Sequence, residues 1–185
     1  METTGHHTCS KRNGRSYILD HAPFFAGFNE KTHRLQFLGA GYYFWDDNIE
    51  MATKWGEDHY NNEYCILECK LNMPGGIFLD LVGNRSHMRY FRNVAVKYAE
   101  SGYAREKWSL GSFIEHLKML EKDRPGIFPF KVIRAVDLLP RDEHSKWYFV
   151  SGKRNYTLLD PRIVICITEK NALILQSKKI VYESL

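Results

Sequence analysis

β-forming segments stand at both ends of this 185-residue chain and helical periodicity fills its middle. That distribution limits the folds open to it. Glu63 to Leu71 alternates Tyr64, Ile66 and Glu68 against Cys65, Leu67 and Cys69, the period of a strand. A turn from Met73, Pro74, Gly75 and Gly76 leads to a short strand or bridge at Ile77 to Leu81. Phe130 to Leu139, Trp147 to Val150, Ile163 to Ile167 and Ser177 to Tyr182 read as a late β run joined by hairpin-like loops. Between these, Ile49, Met51, Ala52 and Trp55 recur at helical spacing within Asn48 to Tyr60, with Asp47 or Asn48 as the cap. Arg85 to Glu100 and the segment holding Phe113, Ile114, Leu117, Met119 and Leu120 supply two more helices, which Pro125, Gly126 and Pro129 end. A short helix from Ser10 to Leu19, a Phe- and Gly-rich loop from Pro23 to His33 and a Gly-broken segment from Leu35 to Phe44 complete the order. The class is α+β, in one domain over 1–185. Strand and crossover helix do not alternate and no glycine-rich phosphate loop is present, which excludes a doubly wound nucleotide fold.

Composition narrows the class further. With 44% hydrophobic and 26% charged residues the chain is not disordered. Its longest apolar runs fall far short of the roughly 18 residues a spanning helix needs. No basic, apolar and small-residue leader opens the sequence, and Cys9, Cys65, Cys69 and Cys166 lack zinc-site spacing, so reduced thiols in a cytoplasm are expected. Cys65 and Cys69 sit four apart on a strand and share one face, which points to packing. His21, His33, His59, His87, His116 and His144 show no shared spacing that would gather metal ligands.

Two segments carry chemistry. In Leu38-Gly39-Ala40-Gly41-Tyr42-Tyr43-Phe44-Trp45 the glycines permit close backbone approach and the aromatics can stack on a flat ring. The bland alternative is a Gly-broken strand with core aromatics. Ala52 and Trp55 share a face of the following helix, so contiguous sequence builds one wall of an aromatic pocket. At the start, His6, His7, Thr8, Cys9 and Ser10 form a polar cluster whose imidazoles suit ribose hydroxyls or an amide; the alternative there is a frayed terminus.

His7-Thr8-Cys9-Ser10-Lys11, Asn13-Gly14, Tyr17-Ile18, the Leu38 to Phe44 block, Ala52 and Trp55 together resemble the opening of an ADP-ribosyltransferase domain of the poly(ADP-ribose) polymerase-like, diphtheria-toxin type. Phe78 to Leu81, Lys131 to Val136 and Ile163 to Ile167 resemble later strands of small bacterial members, while Arg85 to Gly126 takes no part. The resemblance implies a split β-sheet core with helices inserted between early and late strands, and NAD as co-substrate. It implies that His7 hydrogen-bonds the adenine-side ribose, that Tyr43 stacks on nicotinamide, and that Trp55 closes the rim. His6, Thr8, Gly39, Gly41, Tyr42 and Phe44 would line the same pocket. The activity implied is transfer of ADP-ribose to a protein or nucleic acid, as in toxins or antiphage effectors paired with an antitoxin. NAD glycohydrolysis and a catalytically weak NAD-binding module are the alternatives.

Three positions depart from the family pattern. Thr8 stands where glycine is usual. His6 lies two residues before Thr8, as in a His-x-Thr motif, so either histidine can hold that place. The late strand's acid is absent: Arg162 and Val164 occupy its positions, and Glu169 falls on the opposite face. Either another acid serves, or transfer is weak or absent. Arg85, Arg89, Arg92 and Lys97, with Lys153, Arg154, Lys178 and Lys179, give a mildly basic chain of net charge +4 that could meet a nucleic-acid acceptor, although such charges are usually a solvated face. Asp80 is expected to end a strand, Arg134 to pair with a carboxylate in the sheet, and Trp108 and Trp147 to pack in the core or at its rim.

Overall fold

A computed structural model describes residues 1–30, 35–102, 109–137, 146–148 and 156–185. The elements run β1 (Glu2–Ser10), α1 (Arg15–His21), β2 (Tyr42–Asp46), α2 (Ile49–Tyr60), β3 (Tyr64–Asn72), a single 3₁₀ turn, β4 (Phe78–Asp80), α3 (Arg85–Glu100), α4 (Leu110–Asp123), β5 (Val132–Val136), β6 (Lys146–Tyr148), β7 (Tyr156–Leu158), β8 (Ile163–Ile167) and β9 (Leu175–Glu183). Seven strands form one sheet in the order β4-β5-β8-β2-β1-β3-β9, and only the β4–β5 pair is parallel. β6 and β7 make a separate two-stranded ribbon. The protein is thus a mixed α+β fold around a mostly antiparallel sheet. No described helix is long and apolar enough to cross a membrane.

Alternation along each strand divides the core in two. Cys9, Phe44, Cys65, Leu67, Cys69, Ile165 and Ile167 point to the side that α1 covers through Ile18. Trp45, Tyr64, Ile66, Val164 and Cys166 point to the other side, where Ala52 of α2 and Phe113, Ile114 and Leu117 of α4 meet them. Each fully buried aliphatic side chain contributes about 1.5–3 kcal/mol, so these two layers account for most of the stabilisation. The helix starts follow from their caps: the Asn48 side chain accepts from Met51 N–H, Asn84 from Ser86 and His87, and Ser109 from Ser112.

Several expectations are corrected. The N-terminal cluster is no frayed end, because β1 lies inside the sheet and pairs with β3 at all nine positions from Glu2 to Ser10. Ser10 therefore closes a strand, and the first helix begins only at Arg15. The Leu35 to Phe44 segment contributes a strand only from Tyr42, since Gly39 takes a left-handed φ of +81° and turns the chain. Of the described late strands, β6 and β7 pair consecutively as expected, but β5 pairs with β8, and β9 passes β2 and β1 to join β3 at the far edge. His33, Trp108, Leu139, His144, Val150, Lys153 and Arg154 lie outside the described residues.

Candidate functional site

The sheet is forked at its middle. β1 pairs with β2 at only two positions, Gly5 with Asp46 and His6 with Trp45, although both strands continue on the side of Thr8 and Tyr43. Successive residues of a strand present their backbone groups to opposite edges. Thr4 accepts from Asp47 N–H across this junction, so the even-numbered residues of β1 face β2. Thr8 continues that edge beyond the last pair, which turns its N–H and C=O toward the gap.

Two groups occupy the β2 side of the gap. The His7 ring nitrogen Nδ1 lies 2.8 Å from the Tyr43 carbonyl oxygen, and Nε2 accepts from Phe24 N–H at 3.1 Å. Because Nε2 accepts, the ring proton is on Nδ1 and is donated to Tyr43. Further along, Ala26 exchanges both backbone hydrogen bonds with Gly41. The imidazole of His7 and the loop at Ala26 thus satisfy the edge that β1 abandons. Burial lowers the His7 pKa to about 4 against the raising effect of its bond to Tyr43, so the ring is neutral near pH 7.

The resulting cleft has a volume of about 460 Å³, within the range of small-molecule sites. Its lining includes His6, Thr8, Tyr43, Trp45, Trp55, Tyr60 and Val164 from the helix-covered face and its rim, and His7, Cys9, Phe24 and Phe44 from the other. Ser10, Asn13, Phe25, Gln36, Phe37 and Asp137 extend it. Among these residues Asp137 supplies the one carboxylate, and none is Lys or Arg.

Of the residues singled out in the sequence, His6, His7, Thr8, Tyr43, Phe44 and Trp55 come together in this cleft. Gly39, Gly41 and Tyr42 do not line it. A Cβ on Gly41 would sit 2.4 Å from Cys166 Sγ and 2.7 Å from the Ile167 carbonyl oxygen, so its smallness serves the approach of β2 to β8. Gly39 turns the preceding loop against Glu115 of α4, whose carboxylate accepts from Ala40 N–H at 2.7 Å. Tyr42 points to the α1 side, where Phe25 meets it edge-on and Lys170 lies 5.1 Å from its ring centre.

The remaining cleft residues differ in what they leave available. The Tyr43 hydroxyl donates to the Gly39 carbonyl at 2.5 Å and accepts from Leu38 N–H at 2.8 Å. Burial raises its pKa well above the ordinary value, so the phenol holds its own loop and offers a ring rather than a proton. The expectation that His7 presents its imidazole to a ribose meets the same obstacle, since both nitrogens are engaged by backbone. His6 differs: it lines the cleft, its Nδ1 is buried without a partner among the described residues, and burial lowers its pKa despite Glu68 and Asp47. Thr8 shares its face, and its hydroxyl donates to the Ala52 carbonyl at 2.7 Å, fastening α2 over the strand. Trp55, 38% exposed, stacks on His59 and tilts against Trp45 at the rim.

Asp137 was not legible as a site residue, because it follows β5 rather than starting the late strand. In the fold the two meet: Asp137 N–H donates to the Arg162 carbonyl at 2.7 Å, and Arg162 Nη2 donates to Asp137 Oδ2 at 2.8 Å. The Arg162 guanidinium lies 5.4 Å from the Trp45 ring centre. On the opposite face Arg134 pairs with Asp46 at 2.6 Å and Asp80 at 3.5 Å, as expected of a sheet arginine. Cys9 and Cys65, opposite each other on β1 and β3, bring their Sγ atoms to 3.5 Å in a buried thiol pair.

No protein-family model, no curated protein and no solved structure matches this chain significantly.

Proposed function

We propose that the forked sheet is the nicotinamide pocket of an NAD-dependent ADP-ribosyltransferase. The fork itself carries the proposal: a strand edge freed at Thr8, facing an aromatic ring at Tyr43, with an unsatisfied imidazole nitrogen on His6. A carboxamide needs one donor and one acceptor side by side, and the Thr8 N–H and C=O supply both. The pyridinium ring stacks on Tyr43, where phenol chemistry is not required of it. His6, in place of His7, takes the motif position, because a His-x-Thr pair directs both side chains to one face and leaves Nδ1 for a ribose hydroxyl.

In this reading the nicotinamide and its ribose lie inside and the diphosphate at the mouth, supported by the lack of Lys and Arg among the described lining residues. Ser10 and Asn13 reach the cleft from the end of β1 and the turn after it, which holds Lys11 and Arg12 and leads to Arg15 at the start of α1. Arg12 and Arg15 pair there with Glu63 and Glu183, both in exposed bridges. Exposed pairs contribute only about 0–1 kcal/mol, so exchanging the carboxylate for a diphosphate costs little.

Transfer breaks the bond between the ribose anomeric carbon and nicotinamide nitrogen. The electron pair leaves with neutral nicotinamide and the positive charge moves to the ribose as an oxocarbenium ion, which an acceptor oxygen or nitrogen attacks as it loses its proton. Asp137 stands in for the acid that Arg162 and Val164 cannot provide, and its charge opposes the developing cation in a cleft walled by aromatics. The acceptor is a macromolecule in this proposal; water in its place gives glycohydrolysis. One observation favours a weaker enzyme or a binding module on the same cleft: Arg162 already neutralises Asp137.

Tyr43→Ala should abolish NAD-dependent macromolecular labelling, whereas Tyr43→Phe, which keeps the ring, should retain most of it. Full activity in Tyr43→Ala would remove the stacking role and the proposal with it.

A further inference from the structure

Helix α3 carries a row of guanidinium groups that the fold leaves without relief. Arg85, Arg89 and Arg92, four and then three residues apart, share one helix face and are all exposed. None of them makes an ion pair or a side-chain hydrogen bond among the described residues. The opposite face is occupied: Tyr90, Phe91, Val94, Ala95 and Tyr98 pack into the helix-side core. The stripe is therefore presented outward by a helix whose own position is fixed.

Its placement is unfavourable in isolation. Like charges at these spacings repel, and cations in the first half of a helix oppose the positive end of its dipole. The first turn contains no acid, and Glu100 at the last residue is the helix's only carboxylate. A chain with 22 acidic residues places none within Arg85 to Arg92, and Glu100 lies eight residues, about 12 Å, beyond the last arginine. Sites where local preference is violated without internal compensation are where function is expected to supply it.

We infer that this face of α3 binds the phosphodiester backbone of a nucleic acid. The row from Arg85 to Arg92 spans about 10 Å, the axial rise of about three nucleotides of one strand. Among the described residues, a shallow depression of about 250 Å³ is lined by Arg85, Met88, Arg89 and Arg92. Guanidinium forks match phosphate oxygens in pairs. An acidic protein fits less well, since a protein interface is anchored by buried aromatic residues, and the aromatics of this helix all face the core. The inference does not rest on NAD chemistry, and its test needs no NAD.

The full chain is titrated into a fluorescein-labelled single strand and a duplex of about 20 nucleotides, with anisotropy read from roughly 50 to 200 mM salt. Three phosphate contacts give a slope of log affinity against log salt between about −2 and −3. Arg85→Gln, Arg89→Gln and Arg92→Gln combined should weaken binding at least about tenfold at the lowest salt and flatten the slope, while melting at or above the wild-type temperature, since repulsion is removed. Lys178→Gln with Lys179→Gln, a charge reduction on β9, should leave binding within about twofold. Absence of binding at the lowest salt, an equal loss in the β9 variant, or equal affinity for a polyglutamate peptide would overturn the assignment.

Discussion

Adjacent histidines on one strand divide two tasks by parity. His7 faces the α1 side and spends both nitrogens on backbone, giving its proton to the Tyr43 carbonyl and accepting from Phe24. His6 faces the helices and keeps Nδ1 unsatisfied. Removing a partner strands buried polar groups, so His7→Ala should cost about 2–4 kcal/mol of stability in a denaturant melt. His6→Ala should change stability by less than about 1 kcal/mol yet reduce nicotinamide release about tenfold or more; the opposite assignment of losses would reverse their roles. The His7 pKa also sets a pH dependence. Its folded value, about 4, lies below the unfolded 6.5, so the unfolded chain binds the extra proton as pH falls through that window. Stability conferred by the neutral ring is complete above about pH 6.5 and declines toward pH 4, by roughly 3 kcal/mol in all. His7→Gln should lack that component, and an unchanged acid profile in the variant would assign the decline to other groups. Sequence supplied both histidines and Tyr43 as candidates, and the fold brings them to one cleft, but sequence did not tell which imidazole was available. Parity is readable only once the strand and its two edges are known, and the donor to His7 comes from Phe24, 17 residues away.

At the level of elements, α2, α3 and α4 were readable because each carries a side-chain cap and apolar spacing, whereas α1 has no capping side chain and begins later than expected. α2 begins at Ile49 behind Asn48, one of the two expected caps, and the strand at Glu63 to Leu71 is displaced by one residue. The glycine segment was harder, because two glycines one residue apart act in different ways. Gly39 makes a left-handed turn braced by Glu115 and by Lys118, which donates to the Ala40 carbonyl at 2.8 Å. Gly41 instead lets β2 approach β8. Gly41→Ala should destabilise the protein by about 3 kcal/mol, because the obstructing Ile167 oxygen is backbone and cannot rotate away. Thermal melting alongside Ala40→Gly, which adds no volume, would check this; a Gly41→Ala protein as stable as wild type would mean that the strands can separate there without cost. The pairing of Asp137 with Arg162 belongs to this scale as well. Twenty-five residues separate them in sequence, and only the β5–β8 ladder brings the end of one strand to the start of the other. No local pattern announces such a carboxylate.

Across the whole molecule, segregation of β-formers to the two ends became one sheet because the late strands return to flank the early ones. β8 lies against β2 and β9 against β3, enclosing the N-terminal strand. Class was legible from periodicity; strand order was not, since the crossing of β9 and the insertion of β6 and β7 depend on contacts distant in sequence. The fork is the feature from which the proposed chemistry follows. A fully paired β1 and β2 would leave Thr8 nothing to offer, and a sheet lacking β2 would have no ring opposite it. In the proposed chemistry Asp137 supplies the charge needed for bond cleavage, so Asp137→Asn should lower the cleavage rate by about a hundredfold while the fold and NAD affinity persist. The most direct test is incubation of the purified protein with NAD labelled separately in nicotinamide and adenine, with and without cell lysate, and with nuclease or protease applied afterwards. Free nicotinamide is expected together with adenine label in a macromolecular fraction, both strongly reduced by Asp137→Asn. No nicotinamide release from NAD in the presence of lysate would contradict an NAD-cleaving role for the forked sheet.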